Sequence, residues 1–154
     1  MILDAFLAVI HHLCVFGLFV ILAAEMTLVR PGILAETVMR VVRVVRIDGL
    51  YGILAGLALV AGGLRVVYGA KGAAFYTHNP LFWTKLGLFL LIGILSVPPT
   101  LEYIRWRKAL RANPADLPSA SAVQDTRKLI HIQFGLLFLL PILAAMMARG
   151  IGLR

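Results

Sequence analysis

The chain has 154 residues, of which 61% are hydrophobic. Its mean hydropathy of +0.94 excludes an ordinary soluble domain of this size. The net charge of +8 would suit nucleic acid, but the cations sit in the connections between apolar stretches, where they report membrane topology; no nucleic-acid partner is expected.

Four stretches, Ile2–Val29, Ile47–Tyr68, Leu81–Ile104 and Leu129–Ala148, each approach or exceed the ~20 residues a helix needs to cross a bilayer. They predict an all-α, polytopic membrane four-helix bundle, forming one domain surrounded by lipid. The first stretch has Asp4 near its start, no preceding basic residue and no convincing small-residue cleavage site, so it reads as a retained helix rather than a secretory signal. Cys14 within it is the lone cysteine, which rules out an internal disulfide.

Pro31-Gly32 ends the first helix, since that pair is poorly compatible with helix. In the following segment, Glu36–Arg46, three arginines (Arg40, Arg43, Arg46) recur every third residue among valines, gathering charge on one helical face. This segment is either an interfacial helix or an extension of the second span. The second span carries Gly52 and Gly56 at GxxxG spacing, which serves a close contact inside the bundle or a homo-oligomer face. The next connection places Tyr76 and Trp83 at the head-group level. Pro98-Pro99 should kink the third helix and Pro141 the fourth, because proline removes an amide donor and crowds the preceding turn.

Arg30, Arg40, Arg43 and Arg46 flank the first connection, and Arg105, Arg107, Lys108, Arg111, Arg127 and Lys128 the third. The second has only Arg65 and Lys71. The positive-inside bias makes connections one and three cytoplasmic and puts both termini on the outer face, with Arg149 and Arg154 as a mild counterweight.

Ionisable residues inside the spans are costly unless paired or wetted, so they are the candidates for function. Counting rise along alternating helices sorts them into two layers. The outer layer has His11, His12, Arg65 and Lys85; the inner has Glu25, Asp48, Glu102 and His131, beside Arg30, Arg46 and Arg105. The inner four suit an ion-pair network with those arginines, with a metal or proton site as the alternative. Neighbouring histidines point about 100° apart on a helix, so only one of His11 and His12 can face the bundle centre. That histidine is either a hydrogen-bonded core residue or an axial ligand of haem b, with Arg65 and Lys85 available to propionates or a quinone oxygen.

The segments HHLCVFGLFVILAAEMTLVRPG, RIDGLYG, YGAKGAAFYTHNPLFWTKLGLF, SVPPTL and RKLIHIQ together resemble domain-of-unknown-function family 2214, small predicted inner-membrane proteins of Gram-negative bacteria. The resemblance covers nearly the whole chain and implies a four-helix membrane protein. By its motifs it marks His11, His12, Glu25, Arg30, Arg46, Asp48, Arg65, Lys71, Lys85, Glu102 and His131 as key positions. A weaker similarity, through an early-helix histidine and Trp83-Thr84-Lys85, runs to the haem-containing protoporphyrinogen oxidase family and to copper-resistance-type membrane bundles. It is architectural and transfers no chemistry.

The leading expectation is a haem- or porphyrin-binding redox protein of the inner membrane, with the acidic layer relaying protons. The alternatives are an oligomeric proton- or ion-coupled transporter or channel, and a structural partner of a larger complex. No nucleophile elbow or nucleotide-binding glycine loop is present.

Overall fold

The computed structural model describes residues 2–30 and 38–152, which contain helices and turns and no strand. The helices are α1 (Ile2–Leu28), α2 (Val38–Tyr68), the short α3 (Gly72–Thr77), α4 (Pro80–Ala112), α5 (Ala120–Leu137) and α6 (Leu139–Ala148). Four spans result, with α5 and α6 forming the last. Pro31-Gly32, Glu36 and Arg154 lie outside the described residues.

Three helices outrun their apolar stretches on the side opposite the termini. α2 begins at Val38 rather than Ile47, α4 continues to Ala112, and α5 starts at Ala120. Each extension adds on the order of 12 Å of helix. The arginine spacing explains why they persist: Val41 and Val44 are buried against a core containing Trp106, Leu110 and Val123, while Arg43, Arg46, Arg105, Lys108 and Arg111 remain exposed. The segment after Glu36 therefore extends the second span and is not a separate interfacial helix. This end is called the basic side below.

α1 packs most extensively on α2; α4 meets α2, α5 and α6, and α5 meets α1. The glycines that let α1 and α2 approach closely are not the pair expected. A Cβ on Gly17 would come within 2.5 Å of Leu54, and one on Gly62 within 3.2 Å of the His11 ring. Gly52 and Gly56 have nothing within 4 Å of a Cβ and are exposed, so the close contact within the bundle is not made there.

Pro98 and Pro99 lie inside the unbroken α4. Pro99 has no N–H for the Leu95 carbonyl four residues back, and Gln133 on α5 supplies the missing donor, Nε2 to oxygen at 3.2 Å. Pro141 likewise cannot bond the Leu137 carbonyl, and the last span is interrupted at Phe138. Phe138 itself retains a helical φ of −63° and ψ of −26°.

Side chains fasten both ends. At the terminal side the fully buried Asn79 donates to the Ile151 carbonyl at 3.0 Å, and its Oδ1 accepts from the Leu81 N–H at 2.9 Å, capping α4. Lys71 donates to the Ala148 carbonyl at 3.4 Å. On the basic side Arg127 of α5 donates to the Val29 carbonyl at 3.2 Å, satisfying an orphan acceptor at the end of α1.

Candidate functional site

Glu25 is the most buried carboxyl described, 2% exposed near the end of α1. Its Oε2 accepts from the Tyr103 hydroxyl of α4 at 3.3 Å, while Oε1 is buried without a hydrogen-bond partner among the described residues. Asp48 and Tyr51 of α2 are near enough to interact electrostatically with this region. Asp48 and Tyr51, like Thr100 and Tyr103, are three residues apart, so each helix presents its pair on one face. The Thr100 hydroxyl lies 2.9 Å from Asp48 Oδ1 and 3.0 Å from the Ser96 carbonyl of its own helix. It has one proton, which can serve only one of these acceptors at a time.

The ion-pair network expected of the inner layer does not form around these carboxyls. Among the described residues no cation pairs with Glu25 or Asp48. Arg30, Arg46 and Arg105 are exposed. Arg105 bonds Glu102 one turn away on the same exposed helix face. The guanidiniums stay at the water-facing surface, and hydroxyls occupy the positions facing the carboxyls. His131 is exposed and bonds the Arg127 carbonyl of its own helix at 2.8 Å. The set Glu25, Asp48, Glu102 and His131 is therefore split: the first two come together, while Glu102 and His131 hydrogen-bond within their own helices. Among the described residues no three His, Cys, Asp or Glu side chains are grouped to hold a metal ion.

The other layer lies about 21 Å further along α1, counted from Glu25 to His11 at 1.5 Å per residue. His11 is half-buried, its Nδ1 2.8 Å from the Ala58 carbonyl of α2, which assigns the proton to Nδ1 and leaves Nε2 with a lone pair when the ring is neutral. His12 is exposed and bonds the Ala8 carbonyl of its own helix. The two-histidine question thus resolves in favour of His11 as the inward residue. Arg65 Nε meets Asp4 Oδ1 at 3.4 Å, tying α2 to the start of α1. Lys85, half-buried on α4, is an electrostatic neighbour of both His11 and Arg65 and bonds no acceptor among the described residues.

Asp4, Tyr51, Thr100 and Tyr103 complete these two clusters and were not singled out from sequence as site residues. Asp48-x-x-Tyr51 and Thr100-x-x-Tyr103 carried the available signal, polar pairs at helical spacing within apolar spans.

Two concavities open at the surface. One of about 50 Å³ is lined by Val41, Val42, Arg107, Leu110 and Arg111. The other, an open depression of about 430 Å³, is lined by Gln124, Arg127, Lys128, His131 and Ile132. Neither is lined by His11, His12, Arg65, Lys85, Glu25 or Asp48.

A family model described as a predicted membrane protein (DUF2214) matches residues 3–152. No curated protein and no solved structure matches the chain.

Proposed function

The chain belongs to the DUF2214 family of predicted membrane proteins, and we propose that it takes up and releases a proton at Glu25 and Asp48 as part of a proton-coupled path for a small solute. The observation that carries this reading is Glu25 itself: a carboxyl within a membrane span, 2% exposed, with one hydroxyl donor and one unpartnered oxygen. A charge in that setting is expensive without a compensating cation, and none pairs with it among the described residues. A proton supplies the compensation and leaves again when a path to water opens.

The neighbouring groups suit that exchange. Tyr103 can donate to Oε2 whether or not Oε1 carries the proton. Thr100 can donate to an ionised Asp48 and turn to the Ser96 carbonyl when Asp48 is protonated. Four helices of this length leave little room for a solute between them, so a solute path requires association of copies. The exposed Gly52–Gly56 face of α2 is the candidate contact. We place the protein in the bacterial inner membrane with its basic side toward the cytoplasm and both termini outside, following the positive-inside bias.

The test uses protein in liposomes containing a pH-sensitive dye, with an imposed pH gradient. Proton movement above that of empty liposomes, abolished in Glu25→Gln and reduced in Asp48→Asn, supports the reading. Proton movement equal to that of empty liposomes in every candidate solute gradient contradicts it.

A second reading, haem b binding, is favoured by the His11 tautomer: Nδ1 bonded to a carbonyl leaves Nε2 available to iron, the arrangement common among ligating histidines. Arg65 and Lys85 would then meet the propionates, with the porphyrin seated between copies or against the lipid-facing side. A Soret band that disappears in His11→Ala would support this reading. Colourless protein from haem-replete cells would remove it and would leave the proton reading standing.

A further inference from the structure

From the opposite layer we infer that Lys85 and Arg65, beside the His11 ring, form a binding site for a singly charged oxyanion group, a phosphodiester or a carboxylate. This site is independent of proton exchange at Glu25. Three helices bring their cations or cationisable groups together here: His11 from α1, Arg65 from α2 and Lys85 from α4. One carboxylate, Asp4, answers them, and it is engaged by Arg65 Nε. Two permanent cations against one carboxylate leave a single positive charge uncompensated, borne by the half-buried ammonium that bonds no acceptor among the described residues.

The donors are free to engage an anion. Arg65 uses Nε on Asp4 and makes no other hydrogen bond among the described residues, so its terminal amino groups can grip an oxyanion as a fork. The His11 ring is fixed through Nδ1 on the Ala58 carbonyl and borders the site, so the grip on the anion falls to Lys85 and Arg65. The depth is also suitable. Lys85 is two residues past the exposed Trp83, whose Nε1 donates to the Thr77 carbonyl at 2.9 Å, and an indole anchored in this way marks the head-group level. An ammonium about 3 Å along the helix from that level can reach a lipid phosphate or an anion from the aqueous side. A monoanion neutralises the cluster, whereas a dianion would leave excess negative charge beside Asp4.

Two sources offer this chemistry, and thermal unfolding of the full chain in uncharged detergent separates them. The probes are phosphatidylglycerol, zwitterionic phosphatidylcholine, inorganic phosphate and acetate. A lipid site predicts stabilisation by phosphatidylglycerol that exceeds that by phosphatidylcholine. The half-saturating concentration should rise roughly tenfold or more in Lys85→Met and recover largely in Lys85→Arg. Stabilisation by phosphate or acetate with the same dependence on Lys85 assigns the site to a free solute. Arg65→Gln strands Asp4, so the arginine is tested in Asp4→Asn/Arg65→Gln, where weakened binding is again expected. Equal stabilisation of wild type and Lys85→Met by every probe, or stabilisation by none, overturns the inference.

Discussion

Near the basic side the buried layer is acidic and nearly sealed; near the termini it is cationic and half-open. Glu25 meets a tyrosine hydroxyl and Asp48 a threonine hydroxyl, with no opposite charge paired to either among the described residues. Arg65 has an ion pair with Asp4, but Lys85 beside it bonds no acceptor among the described residues. The contrast shows that a bundle of this size can leave charge of either sign uncompensated, and that the degree of covering decides what answers it. We read the sealed carboxyl as a site for a proton and the half-open ammonium as a site for a larger anion.

The largest effect that would break this contrast is expected at Glu25. Glu25→Leu should abolish proton movement while leaving thermal stability unchanged or higher, because an apolar side chain removes a buried polar atom that has no partner. A large loss of stability would make Glu25 a structural residue. Tyr103→Phe should keep the fold and lower proton flux about tenfold, since it deletes the hydroxyl bonded to Oε2; unchanged flux would remove Tyr103 from the site.

Between the layers, Gln133→Leu should destabilise by about 1–2 kcal/mol by stranding the Leu95 carbonyl. Adding Pro99→Ala restores a backbone donor and should recover part of the loss, as thermal unfolding of the single and double variants would reveal. The smallest effect belongs to the terminal side. Asp4→Asn should cost about 1 kcal/mol, and a double-mutant cycle with Arg65→Gln should return a coupling of similar size.

Much of this architecture was legible in the sequence. The four spans follow from length and apolarity, while the valine–arginine alternation left an interfacial helix and an extended start of α2 both open. Counting rise also placed Glu25 and Asp48 at one level. Depth does not reveal azimuth, however. Glu102 and His131 are level with them by that count, yet Glu102 is only half-buried, His131 is exposed, and both hydrogen-bond within their own helices. Azimuth is set by packing, here by which glycines meet a neighbour: Gly17 and Gly62 do, Gly52 and Gly56 do not. The hydroxyls of Tyr51, Thr100 and Tyr103 were missed because uncharged polar residues hardly disturb a hydropathy profile. Gln133 was overlooked because its role depends on a proline in another helix.

The central claim is that Glu25 exchanges a proton inside the membrane. Infrared difference spectroscopy on lipid-reconstituted protein, following a pH change in H₂O and D₂O, tests it most directly. The account predicts an isotope-sensitive protonated-carboxyl band that follows pH, vanishes in Glu25→Gln and shifts in Tyr103→Phe. A carboxyl spectrum identical in wild type and Glu25→Gln at every pH would contradict it.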